Sequence, residues 1–521
     1  MADISTVCDV NNVRIKSGWL LLGLVFLLQA GCGDEVIYVE KPPYLLPPDT
    51  AFEFLGYYDS TATITTCGQC HVERQLSWET TGHARAWDDL QASGQAQDFC
   101  EGCHSVNERG NWIDEPAGHN LVADVRYRDV QCESCHGPGR GHVDSPQMFQ
   151  PRASIAAGVG LGDGCGDCHE GSHHPFVNQW EQSAHGSGGA MAYAGGRAAC
   201  APCHEGRAAL VYKFGETDGY IEKDGTELQR ITCAVCHDPH GSDNIANLRA
   251  PIDVASEEHL CVRCHSRSGT PPSSRGPHSA QGLLVLGTNV GWIPPNFLYD
   301  PTKIVGTHGS DRNPKLCATC HVNPFTVTDG QSGDVIFESK GHSFEAIPCL
   351  DAQGLPVPGP CAVDSRSFDG CATAGCHGSG DIAKTYFNVT QARIDALLNQ
   401  LWDDVNGNQT IDATDGGVLA KVVAQGDTVQ LDLTDERVTV AEGALWNGML
   451  AHTAAQPEFG SGMAFGKSFS SHRSSGGGIH NPFLVEALLT ASIQAVMDTY
   501  GVAPAPGFDL SIHADPPPGL Q

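Results

Sequence analysis

The chain has 521 residues and a formal net charge of -31, from 30 Lys plus Arg against 61 Asp plus Glu, which argues against nucleic acid as a partner. Aromatics are 7% and hydrophobics 40%, while Gly (61) and Pro (31) are plentiful. That is too little apolar material for a conventional core in a chain of this length.

The first element is an export signal. Arg14 and Lys16 precede an apolar run over residues 19–28, short for a bilayer span and followed by small residues. Leu28-Gln29-Ala30-Gly31-Cys32 resembles a bacterial lipobox, with Gln29 where Leu is usual. The expectation is a signal peptide of lipoprotein type over residues 1–31 and lipidation of Cys32, giving an outer-membrane lipoprotein that faces periplasm or cell surface. Plain cleavage would leave the protein soluble in the periplasm or secreted. No later stretch is apolar for long enough to span a membrane, so attachment is by lipid alone.

Next comes Cys-x-x-Cys-His, eight times over. The first four copies are Cys67, Cys70 and His71; Cys100, Cys103 and His104; Cys132, Cys135 and His136; Cys165, Cys168 and His169. The other four are Cys200, Cys203 and His204; Cys233, Cys236 and His237; Cys261, Cys264 and His265; Cys317, Cys320 and His321. Two thiols so spaced can each bond a haem vinyl group, and the adjacent imidazole then meets one face of the iron, which is the pattern of covalent c-type haem. Zinc knuckles and thiol redox centres also use Cys-x-x-Cys, but zinc requires no His behind every pair and a redox motif does not recur eight times. A ninth site, Cys371, Cys376 and His377, separates its thiols by four residues, a spacing that resembles one in tetrahaem cytochromes of the c3 type. Of 22 cysteines only Cys8, Cys32, Cys349 and Cys361 remain, and the last two flank a Pro-rich loop where an oxidising compartment favours a disulfide.

First cysteines lie 33, 32, 33, 35, 33, 28, 56 and 54 residues apart. Within that spacing W-E-x-x-x-H recurs at Trp78 to His83 and Trp180 to His185, about 100 residues on, and each copy is followed by two more motifs. The first six motifs therefore divide into three-haem modules over residues 60–150 and 160–250. A looser segment, 251–380, carries motifs seven to nine. The predicted fold is organised by haem, largely irregular with short α-helices and little β-structure, ending in a haem-free helical region over 381–521. There the pattern predicts helices at 388–404, 441–452 and from Pro482 to about 499, the first with Ile394, Leu397, Leu398, Leu401 and Trp402 on one face. Between the first two, Asp404, Asn406, Asn408, Thr410, Asp412 and Asp415 follow the ligand pattern of a calcium loop. Two positions depart from it: Gln409 stands where Gly is usual, and Asp415 where Glu is. An Asn/Asp-rich turn without an ion is the alternative.

Function turns on the second axial ligand. A haem with one His and an open face can transform small molecules, whereas one with two strong ligands passes electrons. Nine of the 24 His are proximal; the distal candidates are His83, His119, His142, His185, His240, His278, His308, His342 and His480, each on a Gly-rich, Pro-rich or Trp-containing stretch near a motif. His173, His174, His259, His452, His472 and His513 are reserves. Six Met are too few for His/Met coordination to dominate, so the expectation is low-potential, six-coordinate haem.

The runs CESCHGPGRGH and CAVCHDPHG followed by HLCVRCH resemble the paired-motif and decahaem electron-conduit cytochromes of bacterial envelopes. GPHSAQGLLVLG, THGSDRNPKLCATCH and GHSFEAIPC resemble segments of extracellular cytochromes of metal respiration, and SSGGGIHNPFLVEALLTASI is similar to an element whose His, here His480, is a distal ligand. The resemblance implies an electron relay without a catalytic residue, working with other cytochromes or a quinol-linked donor and with extracellular metal acceptors. Two alternatives stay open: a multihaem reductase of nitrite, hydroxylamine or a sulfur oxyanion with one open haem, for which the irregular ninth site is the place to look, and a subunit of a conductive filament.

Overall fold

Among the described residues of the motif-bearing region no element is long. Its helices are single or double turns such as Val72–Trp78, Phe176–Gln182, Gly206–Phe214 and Gln281–Leu286. The computed structural model describes residues 53–513, apart from 152–153, 159, 161–163, 172, 218, 272–275, 296, 298–306, 310–312, 314, 373–375, 427–437, 453–456, 465–466 and 471–477. The signal peptide, Cys8, Cys32 and His472 lie outside the described residues. The described residues form mostly short helices and irregular backbone with little strand.

Strand content is limited to short pieces. Tyr57–Asp59 pairs antiparallel with Ile64–Thr65, and Phe325–Thr328 with Val335–Ser339. The turn of the second hairpin is held by Asp329, whose carboxylate accepts from the amides of Gln331 and Ser332. Thr410–Ile411 runs parallel to Ser461–Ala464, which pairs antiparallel with Lys467–Ser470.

The C-terminal region is built differently. Gly380–Leu401, Gly417–Ala424, Val440–Ala451 and Pro482–Tyr500 pack around one apolar cluster that includes Leu397, Leu401, Trp402, Trp446, Leu488 and Ile493. Three of the four starts have a side-chain cap. Thr439 and Glu442 form a reciprocal capping box, and Asn481 accepts from the Leu484 amide with Pro482 in the first turn. The first helix begins at Gly380, eight residues before the expected start, because Ser379 caps it by accepting from the Ile382 amide. Its opening turns bury little, so apolar periodicity does not mark them. Trp402 falls just beyond that helix, still fully buried.

The two regions interlock. Ala280, Leu283, Leu284 and Val290 join the C-terminal cluster, and Trp292 lies across Gly443, where a Cβ would come within 2.0 Å of the indole. Asn481 donates to the Leu284 carbonyl, and Asn447 both accepts from the Trp292 amide and donates to its carbonyl. Cys349 and Cys361 are joined as a disulfide, with Cα atoms 6.0 Å apart.

Candidate haem-binding sites

Several of the motifs, among them Cys67–Gln69, Cys132–His136, Cys165–Asp167, Cys233–Cys236 and Cys317–His321, occupy a single helical turn. In such a turn residues i, i+3 and i+4 share a face, so both sulfurs and the imidazole point the same way. Each motif is thereby a local clamp. The axial His on the other side must come from elsewhere in the chain.

Among the described residues, eight proximal rings face a second imidazole at nearly constant separation. The pairs are His71 with His142, His169 with His83, His136 with His240 and His265 with His185, at 6.1–6.3 Å between ring centroids. The others are His204 with His278, His237 with His342, His377 with His308 and His321 with His480, at 6.0–6.4 Å. Metal–imidazole bonds of about 2 Å on both sides, plus the ring radii, require about 6 Å. The rings are too far apart to touch, and correctly spaced to share one iron.

The tautomers agree with that use. The Nδ1–H of His142, His308 and His342 lies against the carbonyls of Phe149, Ile479 and Lys340 at 2.8, 2.8 and 3.1 Å. His104, His237 and His321 make the same bond to Ala86, Ala246 and Phe344 at 2.7–2.8 Å. A carbonyl on Nδ1 fixes the ring and leaves Nε2 for the metal. Burial holds His169 and His265 down to about 4, so both are neutral, with a lone pair to give, at neutral pH. Large apolar side chains next to the motifs in sequence stand exposed, notably Phe99 (82%) before Cys100 and Val72 (54%) after His71. A macrocycle would cover such surface, so the donor set and its surroundings both fit haem.

Contacts between motifs repeat with a period of three. First cysteines meet as Cys67 with Cys132, Cys165 with Cys233 and Cys261 with Cys317. Second cysteines meet as Cys103 with Cys168 and Cys203 with Cys264. Weaker interactions join Cys135 to Cys165, Cys236 to Cys261 and Cys320 to Cys371. In the loaded protein these sulfurs are thioethers, so the contacts matter as adjacency and not as thiol chemistry. The W-E-x-x-x-H repeat has a counterpart in space: Trp78 Nε1 donates to the Val130 carbonyl, two residues before Cys132, and Trp180 Nε1 to the Ile231 carbonyl, two before Cys233. Motif eight takes the contact position of motifs three and six, and motif nine that of four and seven.

One expectation departs from this pattern. Among the described residues no imidazole faces His104 at 6.0–6.4 Å. His119 instead lies buried against Trp87, ring centroids 4.7 Å apart, with its Nδ1 3.5 Å from Glu101. The irregular ninth site is not open in this sense, since His377 faces His308. Sequence reasoning had no signal for which distal His serves which motif, because most partners belong to different modules.

His259, Cys261 and Cys317 are the only described trio of metal-ligating side chains within 4.8 Å of one another, and both cysteines belong to motifs. In the 404–415 loop Asp404 accepts from the amides of Asn408 and Gln409, while Asn406 donates to Asp412 and Asp415. Asn408 donates to Asp412, and the Thr410 amide to Asn408. Gln409, at the usual Gly position, takes φ +56°, the left-handed conformation Gly is chosen for.

Two family models match parts of the chain: the doubled CXXCH motif over residues 227–270, and cytochrome c554 and c-prime over residues 66–137. Cytochrome c-554 of Nitrosomonas europaea is 30% identical, over 17% of this chain and 48% of its own length. The chain thus spans about half of that relative. The multiheme cytochrome MtrA of Shewanella baltica is 23% identical over 48% of this chain and 72% of its own. Among solved structures, the outer cell wall cytochrome OcwA aligns over 85% of this chain and 100% of its own at 18% identity and a TM-score of 0.49.

Proposed function

We propose that this chain, which belongs to the multihaem c-type cytochromes, relays electrons through nine haems, ligated on both faces by His, in the bacterial cell envelope. The observation that carries the reading is the set of eight imidazole pairs at 6.0–6.4 Å. Haem supplies a redox-active iron. The residues of this chain fix its ring position, exclude exogenous ligands and hold successive sites side by side. The cysteine contacts support a line through motifs one, three, four, six, seven, eight and nine, with motif two beside four and motif five beside seven.

Low-temperature EPR of the oxidised, haem-loaded protein, with a spectroelectrochemical titration, tests the reading. Low-spin iron and uniformly low midpoint potentials are expected. Several stoichiometric high-spin signals that shift with nitrite or cyanide would overturn it in favour of a reductase. That second reading has one observation behind it: His104 faces no imidazole among the described residues.

Export rests on the basic residues and apolar run at 14–28, and lipidation on Cys32. Among the described residues no helix is long and apolar enough to cross a membrane. The mass of the N-terminal peptide of the mature protein checks both. Other cytochromes or a quinol-linked donor and extracellular metal are the proposed redox partners. The ligand pattern at 404–415 supports calcium, to be checked by isothermal titration of the chelator-treated protein.

A further inference from the structure

His104 breaks the pattern of paired imidazoles, and the period of three says where its partner belongs. Motif two of the first module corresponds to motif five of the second, where His204 faces His278 at 6.0 Å. His278 lies between a proximal ligand, His265, and the helix that starts at Gln281. In the preceding module the corresponding place lies between His169 and the helix that starts at Phe176, and it holds His173 and His174.

Backbone bonds set the register of the two helices. The Val177 amide donates to the His169 carbonyl as the Gly282 amide does to that of His265, and Gln179 bonds Pro175 as Leu284 bonds Ala280. After His71, by contrast, the helix begins at once with Val72, leaving no room for such a His. No earlier module exists in the described chain for it to serve. Added backbone and the need for a ligand occur together.

We propose that His174 is the sixth ligand of the haem at Cys100 and Cys103, an assignment that rests on the relay reading and replaces His119. The register sets His173 level with His278, but His173 is exposed, whereas His174 is half-buried like all eight paired distal His. The ring of His174 lies 5.9 Å from that of His169. His169 belongs to the motif whose second cysteine meets Cys103, so His174 stands at the junction of motifs two and four. His104 and His174 lie close enough to interact electrostatically. His119 is held between Trp87 and Glu101 and is only 6% exposed. Ligation asks His174 to swing off His169, which a surface segment ahead of a short helix permits.

EPR of the haem-loaded full chain decides the matter through three single variants. His174→Ala should gain a high-spin signal of about one haem equivalent, which added imidazole returns to low spin. His173→Ala and His119→Ala should match the parent. The remaining low-spin haems serve as the folding control. A high-spin signal appearing in His119→Ala instead would return the role to His119. One high-spin haem already in the parent, unchanged by His174→Ala, would make the second haem an open site and sink the assignment while the relay through the other haems stands. Several high-spin haems in the parent would end the relay reading itself.

Discussion

Residues 53–377 and residues 378–513 reach a folded state by different means. The C-terminal helices share a continuous apolar cluster running from Ala280 to Val502. Among its described residues the motif-bearing region has five separate clusters of three to five buried residues each, such as Phe54, Val106, Ile113, Ala117 and Tyr127. Clusters of that size do not offset the conformational entropy of some three hundred ordered residues. The difference teaches that in one part of the chain side chains are the core, and in the other the covalent cofactor is.

The sharpest way to break this comparison is to withhold haem. In a chain produced without haem attachment, amide exchange followed by mass spectrometry should show residues 53–270 exchanging as an unstructured chain. The helices from Gly380 to Tyr500 should stay protected. Residues 280–292 mark the frontier, since they pack into the C-terminal cluster and should be protected with it. Uniform protection along the chain would refute the division.

A smaller effect comes from the other side. Trp446 is fully buried, and its Nε1 donates to the Gly269 carbonyl at 3.1 Å. Trp446→Ala should destabilise the helical region by about 3–5 kcal/mol, read by chemical denaturation, with the haem spectrum of the native protein unchanged. If the Soret band changed as much as the helix signal, the two regions would be one cooperative unit.

What the sequence makes legible follows the same line. The start at Pro482 and the face of Ile394, Leu397 and Leu401 are local or periodic, so they can be read directly. The haem motifs are read as easily, because both sulfurs and the proximal imidazole come from one turn. The distal set is legible only as a list of eligible His. His240 faces His136 and His342 faces His237 across module boundaries, and no local rule encodes such a choice. His119 illustrates the limit: it sits on a Gly-preceded stretch near a motif, yet Trp87 and Glu101 take its ring. The period of three recovers part of the pairing, and it becomes visible only when spacing and contacts are considered together.

The smallest expected effect concerns the polar ties that serve the motif-bearing region where an apolar core is thin. Asp129 is buried between Tyr57, whose hydroxyl donates to Oδ2 at 2.9 Å, and Trp87, whose amide donates to Oδ1 at 2.9 Å. Burial raises the Asp129 carboxyl above its ordinary value near 3.8, while those two donors pull it back down. The folded state therefore binds this proton more tightly than the unfolded one. The group's contribution is complete below pH 3.8 and is lost as pH rises through the raised value. Tyr57→Phe removes one of the two opposing donors, so the carboxyl rises further and the ionised form loses a partner. The variant should lose about 1–2 kcal/mol at neutral pH and progressively less towards pH 4, measured by denaturant unfolding at several pH values. A deficit independent of pH would mean that the hydroxyl acts by packing alone. A deficit that grew in acid would place the proton in the wrong state and remove Asp129 from the account.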